Sequence, residues 1–191
     1  MRTWIVAVRI SLVTLVLTGL VYPLASTGLA QLLFRQQANG SLVTDARGRV
    51  VGSELIGQSW SKPYYFHGRP SAAGDKGYDA TASSGSNFGT TSKKLRERVD
   101  GDIAHLHADN PGAPSDAPDD LVTASASGLD PHISPAAARW QVPRIAKARN
   151  VDAARVRELV ETHVDGRDFG FLGEPRVNVL ALNLDLDGAQ R

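Results

Sequence analysis

The hydrophobic pattern of this chain changes character at Arg35. Before it, Ile10 to Phe34 reads ISLVTLVLTGLVYPLASTGLAQLLF, 25 residues without a charge. As a helix this run spans ~37 Å at ~1.5 Å per residue, more than the ~30 Å hydrocarbon core of a bilayer. After Arg35 the apolar positions fall into short amphipathic groups. Leu95, Val99, Ile103 and Leu106 recur at helical spacing and predict a helix with one apolar stripe. Thr91 or Ser92 is placed to cap it, Gly101 weakens it, and Asn110-Pro111-Gly112 ends it. Ser134-Pro135 opens a second helix, with a hydroxyl at the N-cap and proline at the first helical position. Pro143 should kink or split that helix before Ile145. Asp152 caps a third, turning Val156, Leu159, Val160 and Val164 inward and Arg155, Arg157, Glu158 and Glu161 outward.

Period-two patterning is scarcer. Val43 to Leu55 reads as strand–turn–strand around Asp45-Ala46-Arg47-Gly48. Gly170 to Gly173 marks a turn, and Val177 to Leu186 follows as VNVLALNLDL. There Leu180, Leu182, Leu184 and Leu186 alternate with Ala181, Asn183 and Asp185, as in a half-buried strand. Trp60, Tyr64, Tyr65 and Phe66 bring apolar area to a core. Residues 67–92 are nearly all turn formers and small residues, and a loop of that length is functional or disordered. The Pro/Asp-rich stretch to Asp120 is another exposed connection. The mixed order predicts an α+β fold: a single N-terminal transmembrane helix followed by one soluble mixed α+β domain.

Charge orients this arrangement. Arg2 and Arg9 precede the span with no acid to offset them, and flanking positive charge stays cytoplasmic. The expected domains are therefore a cytoplasmic N-terminus at 1–9, a transmembrane helix at 10–34 and an extracytoplasmic soluble domain at 35–191. In a bacterium this means the inner membrane and periplasm. The alternative is a cleaved signal peptide with Gly28-Leu29-Ala30 as its small-residue site; the apolar run, however, continues through Leu32, Leu33 and Phe34. Ser11, Thr14, Thr18 and Tyr22 form a weakly polar stripe, beside which Gly19 allows close helix approach and Pro23 removes a backbone donor. Whole-chain charge is +1, and without Arg2, Arg9 and Arg35 about −2 remains. A near-neutral domain with no basic patch argues against nucleic acid. The absence of cysteine excludes disulfides, thiolate nucleophiles and thiolate metal sites.

The densest polar cluster is Thr123, Ser125, Ser127, Asp130, His132 and Ser134. It contains the groups of a hydrolase, but a triad is defined by geometry and no G-x-S-x-G elbow is present. The competing reading is structural: Asp130-Pro131 makes a turn, Ser134 caps a helix and His132 bonds a backbone group. His67, His105, His107, His132 and His163 show no H-x-x-x-H or H-E-x-x-H spacing, so no metal site is expected. Ser83 to Gly89 lacks the lysine and spacing of a Walker A loop, which favours a rigid turn.

The run TASASGLDPHISPAAARWQVPRIAKAR, from Thr123 to Arg149, resembles the signature stretch of KdpC, the C subunit of the bacterial Kdp potassium-transporting P-type ATPase. TGLVYP from Thr18 to Pro23, GSELIGQ and YYFHGRPSAAG between Gly52 and Gly74, SSGSN from Ser83 to Asn87, and GEPRVNVLALNLDLD from Gly173 to Asp187 match in the same order. The resemblance implies a non-catalytic subunit with no stably bound cofactor, potassium being the transported ion. Its implied partners are a potassium-conducting subunit, a P-type ATPase subunit and a small membrane peptide. It also implies a catalytic chaperone that raises ATP affinity, with Gln141 at the position assigned to nucleotide contact. An extracytoplasmic domain argues against direct ATP contact and favours assembly or ion access, with Asp130, Asp185 and Asp187 as a weak cation-attracting surface. The partner-contact or signature residues so marked are Thr18, Gly19, Tyr22, Pro23, Arg69, Pro70, Ser71, Ser84, Gly85, Ser86, Asn87, Ser125, Ser127, Gly128, Asp130, Pro131, His132, Ser134, Asn178 and Asn183. The alternatives are a free-standing anchored hydrolase using Ser125, Ser127 and His132, or a ligand-binding domain closed by loop 67–92.

Overall fold

The computed structural model describes residues 2–45 and 47–188, in two compact units, Met1–Val51 and Gly52–Arg191. The first unit is dominated by one apolar helical run, Arg2–Leu33. It comprises α1 (Arg2–Val16), a π turn (Leu17–Val21) and α2 (Tyr22–Leu33), and none of its side chains is buried. The π turn has a local cause. Pro23 has no N–H for the carbonyl four residues back, and the ladder changes register there, with Tyr22 N–H reaching Leu17 O. The helix thus begins well before the uncharged run and carries Arg2 and Arg9. After α3 (Arg35–Ala38) come β1 (Leu42–Thr44) and β2 (Val50–Ser53), which pair as the strand–turn–strand pattern predicts. Ala46 of the expected turn lies outside the described residues. Asp45 Oδ1 accepts from Arg47 N–H and Arg49 N–H at 2.9 and 3.0 Å, which folds the connection.

In the second unit α4 (Lys93–Asp109) follows the predicted stripe, although Ser92 at its N-cap makes no side-chain cap bond. Asn110 closes it, and Asn110 Nδ2 donates to Trp140 O at 2.7 Å. A 3-10 turn at Asp119–Leu121 leads to β3 (His132–Ile133) and α5 (Pro135–Arg149). Ser134 Oγ accepts from Ala137 N–H at 3.0 Å, the cap read from sequence. Of the kink or split expected at Pro143, the split does not occur: the helix runs through it. Gln141, Val142, Arg144, Ile145 and Ala146 are buried on both sides of it, and their packing offsets the missing backbone bond. Asn150, left-handed at φ 53°, ends α5, and Val151 N–H returns to Ala146 O at 3.0 Å.

Asp152 caps α6 (Ala153–Thr162) through Ala154 N–H at 2.8 Å, and α6 packs on α5. Phe66, Ile133, Val142, Ile145, Val156, Val160, Val177 and Leu182 form the centre of the core. Burying side chains such as Val160 and Leu182 contributes about 1.5–3 kcal/mol each. β4 (Val164–Asp165) and β5 (Arg176–Asn178) join β3 in an antiparallel sheet ordered β3-β5-β4, with Ile133 opposite Val177 and Val164 opposite Val177.

The expected strand Val177 to Leu186 is corrected here. Only Arg176–Asn178 is strand, and Val179–Gly188 is α7. Asn178 Oδ1 accepts from Ala181 N–H at 3.1 Å and so caps the new helix. Val179, Leu180, Leu182, Asn183 and Leu186 are buried, which is helical spacing.

Candidate functional site

Two polar assemblies in the second unit bring together tracts far apart in sequence. The first is a knot of loops. Arg69 Nη1 donates to Asp130 Oδ2 at 3.3 Å, while its Nε and Nη2 reach Thr123 O at 3.4 Å. Ser71 Oγ donates to Gly128 O at 2.5 Å and accepts from Tyr78 N–H at 2.7 Å. Ser84 N–H and Ser83 Oγ both donate to Ser127 O, at 3.0 and 2.9 Å. Gly57 N–H donates to Leu129 O at 2.8 Å. The close approach needs glycine: at Gly128, φ +67°, a Cβ would sit 2.5 Å from Ser84 O, and at Gly57 one would sit 2.5 Å from Asp130 O. Tyr78 Oη donates to Arg69 O at 2.6 Å, and burial pushes its phenol up to about 12.

Burial disfavours the Asp130 carboxylate, yet hydrogen bonds from His132 and the Arg69 charge outweigh it and hold the carboxyl below its ordinary range. The His132 ring lies 3.6 Å from Asp130 Oδ1, so it faces a carboxylate and not the backbone group expected of it; only its N–H makes the turn bond, at 3.0 Å. Ser127 Oγ accepts from Leu129 N–H, and Ser134 Oγ donates to Asp120 Oδ1 at 3.0 Å while serving as the α5 cap. These hydroxyls are engaged in turns and caps, and that engagement is structural. Asp120, which also accepts from Ser134 N–H at 2.6 Å, is a member that sequence reasoning missed. Its only signal was position in a loop read as a mere connection.

The second assembly is a buried clamp on the extended segment before loop 67–92. Gln141, 1% exposed, accepts from His67 N–H at 2.8 Å and donates to His67 O at 3.0 Å. Asn183, fully buried, does the same for Phe66, at 2.8 and 2.9 Å. Each amide pairs with the backbone as a neighbouring strand would. Arg144 Nη2 donates to Gln141 Oε1 at 2.7 Å and to Tyr65 O at 3.0 Å, and its Nη1 donates to Pro63 O. Burial lowers the Arg144 guanidinium to about 10, and burial with the nearby Arg144 charge also lowers His67. Arg149, its side chain 3% exposed, donates to Tyr64 O at 2.7 Å and to Asp187 Oδ1 at 2.7 Å and lies over the Tyr64 and Tyr65 rings. Arg144 and Arg149 were not singled out from sequence, because a basic residue in an amphipathic helix reads as solvent-facing.

The remaining candidates are distributed. Pro70 runs between Arg69 and Ser71 at the knot, and Gly85 lies where a Cβ would be 2.8 Å from Ala126 O. Ser86 is half-buried and Asn87 exposed at φ 49°. Ser125 is buried, its carbonyl accepting from Gly128 N–H. Pro131 O accepts from Val179 N–H, and Asn178 Nδ2 donates to Glu54 O at 2.9 Å. Thr18, Gly19, Tyr22 and Pro23 belong to the other unit, where Thr18 Oγ1 bonds Thr14 O at 2.8 Å and Tyr22 is exposed. Asp130, Asp185 and Asp187 each have side-chain partners: Arg69 and His132, His163 at 3.0 Å, and Arg149 and Tyr65 respectively. A cleft lined by Trp60, His67, Lys76, Tyr78, Asp102 and His105 lies between loop 67–92 and α4.

Every tract that carries the knot and clamp falls inside a match to the family model for KdpC, the K+-transporting ATPase c chain, over residues 4–188. The chain belongs to the KdpC family. A potassium-transporting ATPase KdpC subunit from Myxococcus xanthus is 61% identical over 185 residues, covering 97% of this chain and 87% of that protein. The one from Koribacter versatilis is 53% identical over 189 residues, covering 99% and 96%. That from Caulobacter vibrioides (strain NA1000 / CB15N) is 59% identical over 172 residues, covering 90% and 86%. In this KdpC-family chain the resemblance tracts of the second unit, between Gly52 and Asp187, are joined to one another by hydrogen bonds of the knot, the clamp and Asn178.

Proposed function

We propose that this chain is an accessory, non-catalytic subunit of an ATP-driven potassium import complex. Residues 10–34 span the inner membrane and 35–191 lie outside the cytoplasm. Its partners on this reading are the potassium-conducting subunit, the P-type ATPase subunit and a small membrane peptide. The observation that carries the reading is the apolar helix Arg2–Leu33, none of whose side chains is buried. Such a helix needs lipid or other helices around it. Arg2 and Arg9 set its direction.

The domain's work is assembly. Its acidic residues Asp130 and Asp187 are paired with Arg69 and Arg149, and Asp185 meets the His163 ring, which argues against ion attraction as their main role. The Gln141 amide is buried and bonded at both its atoms, so any effect of this chain on ATP affinity passes through the partner subunits and not through Gln141 contact.

Topology tests this. The sequence contains no cysteine, so Ala38→Cys and Ala126→Cys each introduce a single thiol at an exposed position. In whole cells, a membrane-impermeant thiol reagent should label both. Protection in intact cells, with labelling only after lysis, reverses the orientation and restores direct nucleotide contact as the leading account.

A further inference from the structure

Within the second unit, Phe169 is 88% exposed, Phe171 70% and Leu172 48%. They sit together at one hairpin tip, between β4 and β5. The tip is built to hold its shape. Asp168 N–H donates to Leu172 O and Leu172 N–H to Asp168 O, both at 2.9 Å, around Phe169 and Gly170 with φ of 54° and 83°. Two ion pairs brace its base: Arg167–Glu174 at 2.6 Å and Arg176–Asp168 at 3.2 Å. A soluble surface tolerates single apolar residues, but two phenylalanines and a leucine on one preformed tip are a contact site.

We propose that this tip is a docking knob for an apolar pocket on a polytopic protein subunit of the same membrane complex, an inference that rests on the subunit reading above. Charge and area select that occupant. Both cations at the base are already matched to carboxylates, leaving no net positive charge for an anionic lipid surface. Aromatic side chains bury about 150–250 Å² each, so two phenylalanines and a leucine fall short of the ~800 Å² per partner that a stable dimer of free copies buries. A small contact suffices when the two proteins are already held in one membrane, because docking is then effectively intramolecular. Rigid aromatic anchors suit such a contact, since little freedom is lost on binding.

The test uses the intact complex in native membranes. Phe169→p-benzoylphenylalanine is irradiated and the joined peptides are identified by mass. In parallel, Phe169→Ser/Phe171→Ser is followed for its dissociation from the detergent-solubilised complex, with its unfolding midpoint as the control for folding. The knob predicts cross-links to a polytopic subunit and dissociation at least tenfold faster at an unchanged midpoint. Cross-links only to lipid, only to a second copy of this chain, or to nothing overturn it, as does an unchanged dissociation rate. Absence of the wild-type chain from the complex would instead refute the subunit reading itself.

Discussion

The loop knot and the amide clamp are both polar, and both join segments distant in sequence, yet they differ in how far their charged and amide side chains are buried. In the clamp, Gln141 and Asn183 meet the Phe66–His67 backbone with bonds of 2.8–3.0 Å inside the core. In the knot, the Arg69 guanidinium reaches Asp130 and Thr123 at 3.3–3.4 Å, and about a quarter of each ion-pair side chain remains open to solvent. Hydrogen bonds gain little over water when exposed, whereas a buried group left unpaired is costly. The clamp therefore contributes more to holding the fold than the partly solvated Arg69–Asp130 pair of the knot does.

Removing an amide of the clamp should have the largest effect. Asn183→Ala leaves the buried Phe66 N–H and C=O without partners, and should destabilise the chain by about 2–4 kcal/mol. Urea unfolding of the purified full chain in detergent checks this, and a change below about 1 kcal/mol would refute the clamp's role. Gln141→Ala should behave alike, and if it lowers ATP affinity in the assembled complex with no loss of stability, nucleotide contact regains its place.

Next comes the backbone crossing of the knot. Gly128→Ala combines φ +67° with a Cβ only 2.5 Å from Ser84 O, and should cost about 2 kcal/mol. The same urea unfolding of the full chain checks this. Arg69→Ala should be milder, about 1 kcal/mol by the same unfolding assay, since its ion pair is partly solvated.

The smallest effects lie in pH dependence, where both assemblies should lose stability on acidification but in separate windows. His67 is held below its ordinary 6.5 by burial and by Arg144. The unfolded chain then binds the proton first, so the clamp loses stability as pH falls through 6.5 toward the lower folded value. Asp130 is an acid held below 3.8, burial being outweighed by His132 and Arg69. Its contribution is complete above 3.8 and is lost only as pH falls from there through the folded value. Unfolding midpoints from pH 7 to pH 3 should show the first loss weakened by His67→Asn and the second by Asp130→Asn.

Much of the fold was legible because its signals are local. The stripe of Leu95, Val99, Ile103 and Leu106 became α4, Ser134 and Asp152 became caps, and the uncharged run became helix. Pro143 and the terminal leucines misled for a shared reason. A proline lacks a donor wherever it stands, and leucine at every second position also supplies residues three and four apart. Which pattern prevails depends on what packs against it: here Asn183 must reach Phe66, 117 residues away, and Val142 and Ile145 must enter the core.

Sequence by itself determined the helical anchor with its flanking arginines, the capped helices and the absence of thiol chemistry, since each follows from the chemistry of residues near one another in the chain. Only the tertiary structure decided that loops 67–92 and 123–130 lock through backbone carbonyls, that Gln141 and Asn183 act as substitute strand neighbours, and that two phenylalanines stand uncovered at a hairpin tip. Backbone carbonyls are the same in every residue, and burial is a property of the packed whole, so neither leaves a mark in sequence that local reading can find.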